Sequence, residues 1–360
     1  MKHAIKRNTN AKHLECLQCE TIYPIDDYFE GCPACQKKEK PSNVTMIYSN
    51  YKKCMLPYDH YISMGEGCTP LLTVDLNEGP LYLKYEGQNP TGSHKDRMSA
   101  LIVTRAIEKG YRGVAVASSG NAGLSFAAYC AYSGLDCIVI STRELNKNIQ
   151  SYIKYYGARL ILTETAMQRW EQLKQLTKEG FYPGSNYANP PIGTVHFGVQ
   201  GYKCIAYEIV SQLQGSIPTK IIVPTSRGDL LAGIWQGFKE MEMNSLPKMI
   251  AVEPFARITA VLKGEAYTNS FAGKTVLKSI AGSTVTYQAV SAVRQSRGEA
   301  IVVSGEEALE AQRQLMKKGI FLEVSSASVV SAYQKLRRRR AIDKDDLVVA
   351  IGTSSGFIEI

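Results

Sequence analysis

The sequence predicts an α/β protein of two domains built on parallel-rich sheets, with a small four-cysteine module ahead of them. Three observations carry this expectation. The chain has 360 residues, too many for one small core and about the length of two domains. From residue 80 onward, short apolar β-rich runs alternate with helix-length segments, the pattern of strands buried on both faces in a parallel sheet. Residues 14–36 hold four cysteines in two close pairs.

The β-rich runs are Leu81–Tyr85, Gly113–Ala117, Cys137–Ser141, Arg159–Thr163, Ile221–Thr225, Met249–Glu253, Ile301–Ser304 and Leu347–Ile351. Helix-length stretches lie between them, among them Met98–Ile107, Asn121–Tyr132, Gln200–Leu213 and Glu306–Lys318. Two smaller sheets suit this length better than one wide sheet. No internal repeat or low-complexity tract is evident.

The cysteine pattern is Cys16-x2-Cys19, then Cys32-x2-Cys35. Two pairs of thiolates on tight turns can close a tetrahedron around zinc, and four thiolates leave no open position for catalysis. The expected role is structural, because so small a module has little core of its own. The alternatives are a site that has lost its metal and a redox pair. Nine cysteines in all, an odd number, do not read as a disulfide framework.

The formal net charge is +9, which raises nucleic acid as a partner. The basic residues are spread along the chain, however. The one dense run, Arg337–Arg340, follows an apolar stretch and reads as a helix C-terminus, where cations are favoured. A basic field also suits a small anionic substrate. No run approaches the roughly 20 apolar residues of a membrane span. The polar first ten residues lack the apolar core of a secretory signal. The expectation is a cytoplasmic protein with no nucleic-acid or membrane partner.

Four loops after apolar runs, and one turn-rich segment before them, carry candidate chemistry. The turn-rich segment is Gly65–Leu71, GEGCTPL, which says little alone. The next is Gly87–Arg97, GQNPTGSHKDR, which sets Lys95 between a strand and an apolar helix. Open α/β sheets bind ligands at such carboxyl ends. The helix dipole disfavours the charged lysine there, as suits a Schiff-base lysine; an ordinary surface lysine is the alternative. The third is Ala117–Gly123, ASSGNAG, a strand-to-helix turn that makes either an anion site or a capped turn, with Asn121 as the candidate cap. The fourth is Thr225-Ser226-Arg227-Gly228, a polar loop suited to phosphate, with Asp229 positioned to cap the helix or pair with Arg227. The fifth is Gly352–Gly356, GTSSG, whose hydroxyls either meet a ring nitrogen or finish a strand.

Taken in order, GEGCTPL, NPTGSHKDR, SSGNAG, the Thr225–Gly228 loop, GIFLEVSSAS and GTSSG resemble the fold-type-II enzymes that use pyridoxal 5'-phosphate (PLP), the tryptophan synthase β-like superfamily. The nearest likeness is to threonine synthases with an N-terminal zinc ribbon, and it spans nearly the whole chain. The resemblance implies that Lys95 carries the cofactor as an imine and that Asn121 bonds its ring hydroxyl. It implies that Thr225, Ser226, Arg227 and Gly228 surround the phosphate, and that Thr353 meets the pyridine nitrogen. Ser118, Ser119 and Ala122 would hold the substrate carboxylate. The implied domains are a zinc ribbon and linker over residues 1–45, a large PLP domain over 46–95 and 196–360, and a smaller movable domain over 96–195. A homodimer is the expected assembly.

The chain departs from that family in places. Its phosphate loop is poorer in glycine than usual, with Ser226, Arg227 and Asp229 in place of small or amide residues. His94 stands where an aromatic precedes the lysine, and reads as a packing residue. Phosphohomoserine enzymes carry an arginine in Asn-Pro-x-Arg-x-Glu-Gly; here Val195–Gly201 puts Gly198 in that place. Lys203, His196 and Arg227 are the candidate substitutes. The expected function is elimination or replacement on a small amino acid, O-phosphohomoserine to threonine in the first instance. A specialised relative acting on phosphoserine, serine, threonine or another amino acid by β-elimination or β-replacement is the alternative. A non-catalytic PLP or amino-acid binding protein is the reading from another class.

Overall fold

The structure is a computed structural model that describes residues 5–51 and 53–358. The first four residues of the polar N-terminal stretch lie outside the described residues. The chain forms two compact units. One takes the residues up to Glu66 together with Ser93–Tyr202; the other takes Gly67–Gly92 and Lys203–Ile358. The segment expected as the smaller domain, residues 96–195, lies within the first unit, which also includes the cysteine module.

The first unit holds a four-stranded, wholly parallel sheet in the order Arg159–Thr163, Asp136–Thr142, Gly113–Ala117, Phe181–Pro183. Gly113–Ala117 is buried along its whole length, as a central parallel strand must be. Helices Lys95–Glu108 and Asn121–Ser133 belong to this unit and pack on each other. The cysteine module is a three-stranded antiparallel sheet of Ala11–Cys16, Ile22–Tyr23 and Val44–Tyr48, plus the short helix Pro33–Gln36. Its core is not separate: Leu14, Cys32, Val44 and Met46 form one apolar cluster with Leu101 of the Lys95–Glu108 helix and with Phe197.

The second unit holds a six-stranded sheet in the order Glu299–Val302, Lys248–Glu253, Lys220–Pro224, Val348–Gly352, Gly79–Tyr85, Leu71–Leu76. All its pairs are parallel except the last, an antiparallel hairpin that adds Leu71–Leu76 at the edge. That edge strand was absent from the sequence reading. Only Val74 and Leu76 of it are buried, so it lacks the continuous apolar run that marked the others. The sequence reading also made Gln200–Leu213 one helix. The structure divides it into a 3-10 turn, Gln200–Tyr202, which ends the first unit, and a helix, Lys203–Gln212, in the second.

The basic run closes the helix Val324–Arg338 as expected. Arg337 donates to the Glu78 carbonyl at 2.8 Å, Arg338 pairs with Glu78 at 3.6 Å, and Arg339 pairs with Glu299. Among the described residues, no helix is long and apolar enough to cross a membrane.

Candidate active site

In the first unit, Lys95 is the first residue of the Lys95–Glu108 helix and is half-buried. Its ammonium stands 5.9 Å from the centre of the Tyr202 ring. The His94 ring packs on that same tyrosine, 5.5 Å between centroids, which matches the packing role read for it. Asp96, fully buried in the same first turn, accepts from Ser125 Oγ at 2.6 Å. A carboxylate there is favoured by the helix dipole that disfavours the lysine.

Ser125 lies one turn into the Asn121–Ser133 helix. The hydrogen bond therefore ties the first turn of the lysine helix to the first turns of the helix that Asn121 opens. Asn121 does not occupy the capping position expected of it. Gly120 is the N-cap, and the Ser118 hydroxyl accepts from Gly120 N at 3.1 Å and Gly123 N at 2.9 Å. Asn121 is thus the first helical residue. Ser118 is buried, Ser119 exposed and Ala122 half-buried. Gly123 is required by space, since a Cβ would come 2.7 Å from Val139 Cγ1.

Gly198 has a positive structural reason. A Cβ there would lie 2.6 Å from Ile102 Cδ1 and 2.8 Å from Met98 Cγ, and one at Gly201 would lie 2.1 Å from the Arg97 carbonyl oxygen. The two glycines let the His196–Tyr202 segment close on the lysine helix, so an arginine at position 198 has no room. Two of its three candidate substitutes are also committed elsewhere. His196 is buried among Phe197 and Tyr28, and burial together with the Arg105 charge pulls it down to about 3, so it is neutral. In the second unit, Lys203 is buried in a pair with Glu240 at 2.9 Å.

In that second unit, the Thr225–Gly228 loop follows the strand Lys220–Pro224, and Thr353 follows Val348–Gly352. These strands are parallel neighbours, so both loops leave the sheet at the same edge. From Lys220–Pro224 the chain builds outward through Lys248–Glu253 and Glu299–Val302, then returns on the other side as Val348–Gly352. Such a reversal of strand order is where open α/β sheets bind ligands. The loop opens a 12-residue helix, Asp229–Glu240, with Gly228 as N-cap at φ +100°. A Cβ on Gly228 would come 2.2 Å from Ala289 Cβ. Thr286 Oγ1 donates to the Arg227 carbonyl at 2.8 Å, and Gln288 Nε2 donates to Asp229 at 2.5 Å. Asp229 is the first helical residue, not the cap.

Sequence reasoning missed Arg257. Fully buried, it donates to the Thr225 carbonyl at 2.7 Å and faces Glu253 at 3.7 Å. Burial lowers its guanidinium to about 10; Glu253 opposes that and the charge of Arg227 adds to it. Two guanidinium groups thus load one loop with positive charge, at a helix start whose N–H groups also favour an anion. Ser326, which lies in the GIFLEVSSAS motif but had no role assigned, has its hydroxyl 2.5 Å from Thr353 Oγ1 and accepts from Ser354 N at 2.9 Å. Arg257 gives no local signal, because it lies some thirty positions from the loop it holds. The other motifs interlock: Thr69 donates to Glu86 at 2.6 Å, Gly67 N to Asn89 at 2.9 Å, and Ser355 N to the Gly92 carbonyl at 2.9 Å.

Residues 62–354 match the profile of the pyridoxal-phosphate dependent enzymes. This chain belongs to that family. Taken unit by unit, the features suit the group: N–H groups at the start of the Asp229–Glu240 helix beside Arg227 suit a phosphate in the second, and the first has a lysine at a helix start. The PLP enzyme is 37% identical to the threonine synthase of Methanocaldococcus jannaschii, over 82% of this chain and 76% of that one. It is 31% identical to the threonine synthase of Methanosarcina acetivorans, over 95% and 91%. Among solved structures, maize serine racemase superposes with a TM-score of 0.70 at 20% identity, over 80% of this chain and 88% of that one. A fungal L-serine ammonia-lyase from Rhizomucor miehei superposes with 0.68 at 23%, over 82% and 95%. At such identities these two speak for the fold alone. The chain is accordingly a fold-type-II, PLP-dependent enzyme of the lyase or synthase kind.

The PLP enzyme's cysteine module brings Cys16, Cys19, Cys32 and Cys35 together, their sulfurs all within 4.8 Å of one another. Cys16 and Cys35 are 3.6 Å apart, as are Cys19 and Cys32. Zinc–sulfur bonds of about 2.3 Å in a tetrahedron require sulfurs about 3.8 Å apart. Backbone N–H groups of Gln18, Cys19 and Cys35 point at the sulfurs, 3.4–3.5 Å away. Burial pushes the Cys16 and Cys35 thiols up, so a cation is what would hold these groups as thiolates. The cluster is compatible with a zinc site.

Proposed function

We propose that this PLP enzyme converts O-phosphohomoserine to threonine, or catalyses the same elimination–replacement chemistry on a close analogue. The observation that carries the reading is the pairing of Lys95 and Asn121 at the starts of two packed helices, joined through Asp96 and Ser125. Relatives named threonine synthase support the reading.

Bound PLP supplies an electron sink for charge developing at the substrate α-carbon. In this reading Lys95 would hold the cofactor, and its Nζ would take and return the substrate α-proton. Asn121 donates its amide to the ring hydroxyl. Thr225, Ser226, Arg227 and Gly228 hold the phosphate through N–H groups, hydroxyls and charge, with Arg257 fixing the loop from behind. Thr353, oriented by Ser326, offers a neutral partner to the ring nitrogen. Ser118, Ser119 and Ala122 receive the substrate carboxylate at the start of the Asn121 helix, where the dipole favours it. Ser118 takes part by shaping the turn, since its hydroxyl is engaged by Gly120 and Gly123 and its N–H donates to the Ile140 carbonyl at 2.9 Å.

The space that Gly198 gives up to Met98 and Ile102 favours a second reading, a substrate other than phosphohomoserine. Phosphoserine, serine and threonine are the candidates. A visible absorption spectrum of the purified protein separates the readings. A band that shifts with phosphohomoserine, followed by threonine release, is expected from the first. A shift with one of the other three and none with phosphohomoserine selects the second. A protein that neither carries nor takes up PLP overturns both.

The four cysteines are assigned to one structural zinc. Metal analysis is expected to give about one zinc per chain, and replacing Cys16 and Cys32 by serine together is expected to abolish it. A native protein without zinc refutes this assignment and leaves the enzyme reading standing.

A further inference from the structure

The loop between the two cysteine pairs carries two acidic residues that reach the helix of Lys95. Asp27 receives Arg105 Nε at 3.0 Å and the Tyr182 hydroxyl at 2.8 Å. Asp26 pairs with Lys109 at 2.8 Å and stands 3.5 Å from Arg105. Arg105 is buried to 1% exposure, bonds Glu108 at 2.7 Å, and lies over the Phe197 ring at 4.2 Å. Glu108 in turn accepts from the Tyr58 hydroxyl at 2.7 Å. Three turns below Lys95, then, one guanidinium joins the cysteine loop, the lysine helix and the segment that leads to Tyr202.

A second grip sits nearer the lysine. Tyr48, on the last strand of the module, donates to Gln200 at 3.3 Å, and Gln200 donates to Thr45 at 3.3 Å. The Gln200–Tyr202 turn presses on Arg97 through Gly201 and presents the Tyr202 ring to Lys95 and His94. The same module therefore holds both the far end of the lysine helix and the turn beside its first residue. A buried charge network of this kind is weak evidence for stability but restricts geometry, because each partner left alone would be a costly unpaired group.

We propose that the cysteine module is the seat of Lys95: Arg105, Asp27 and Tyr48 are positioning residues, and metal occupancy of the four cysteines is coupled to cofactor binding. The order runs from metal to loop, from loop to Arg105 and Gln200, and from these to Lys95. Linkage makes the coupling reciprocal, so PLP tightens metal binding by the factor with which metal tightens PLP. This rests on the assignment of the cofactor to Lys95.

The test is PLP titration and the pH midpoint of the visible band in the full chain, for Arg105→Gln, Arg105→Lys, Tyr48→Phe and zinc-stripped protein. Circular dichroism and zinc content serve as controls. Arg105→Gln and zinc-stripped protein are expected to bind PLP at least fivefold more weakly and to shift the midpoint by half a pH unit or more. Arg105→Lys should recover part of both. If Arg105→Gln or the stripped protein fails to fold, Tyr48→Phe decides, since it removes one hydroxyl and is expected to shift the midpoint in the same direction. Folded variants with wild-type affinity and midpoint overturn the proposal. Lys95→Ala separates its failure from that of the underlying reading: if that variant keeps the visible band, the lysine assignment has failed; if it loses the band while the other variants behave as wild type, only the coupling has.

Discussion

Lys95→Ala is expected to fold normally and to lose at least about 10³-fold in turnover, the scale set by removing both a covalent anchor and a proton-transfer group. The side chain is half-buried and leaves from the first residue of its helix. Alanine is at home there, so stability should change by less than about 1 kcal/mol. The visible band should vanish in the same variant, because the lysine amine is what links the cofactor to the chain. Activity with the best substrate, the spectrum and circular dichroism are measured together. A variant that retains most of its activity would remove Lys95 from the mechanism, whatever the fold family.

Gly228→Ala is the second large effect. The residue sits at φ +100°, and its new Cβ would meet Ala289 Cβ at 2.2 Å, less than any real contact. The conformational cost is about 1–2 kcal/mol, and forcing the loop or the Tyr287–Gln295 helix aside adds about 1–3 kcal/mol. Either displacement moves the N–H groups that receive the phosphate. PLP affinity should fall by about 10-fold or more, at roughly 1.4 kcal/mol per factor of ten. Gly157→Ala is the control: φ is +80° there, but nothing lies within 4 Å of its Cβ. It should lose stability of the conformational size and keep its PLP affinity. Equal PLP binding by wild type and Gly228→Ala would move the phosphate site off this loop.

Much of this molecule was legible in its sequence. Gly113–Ala117 and Arg159–Thr163 were placed to the residue, and the other predicted strands to within two, because each shows in the sequence as a short apolar run bounded by turns. The cysteine spacing, the lysine at a helix start and the polar loops after strands are likewise local patterns, and local patterns survive without tertiary information. The Leu71–Leu76 strand did not announce itself, since Thr73 and Asp75 interrupt its apolar run.

What the fold alone decided concerns partners far apart in the chain. Gly198 read as a missing arginine; it is a glycine because Met98 and Ile102, about a hundred residues earlier, leave no room for a Cβ. His196 and Lys203 read as spare cations until an aromatic cluster neutralised one and Glu240 engaged the other. Gly120, with the Ser118 hydroxyl on Gly123 N, caps the helix in place of Asn121, and Arg257 and Ser326 gained roles only as neighbours of Thr225 and Thr353. The sequence by itself determined which groups are present and which elements carry them, because propensity and apolar periodicity act over a few residues. Only the tertiary structure decided which of those groups remain available, because burial and pairing depend on contacts that chain order does not encode.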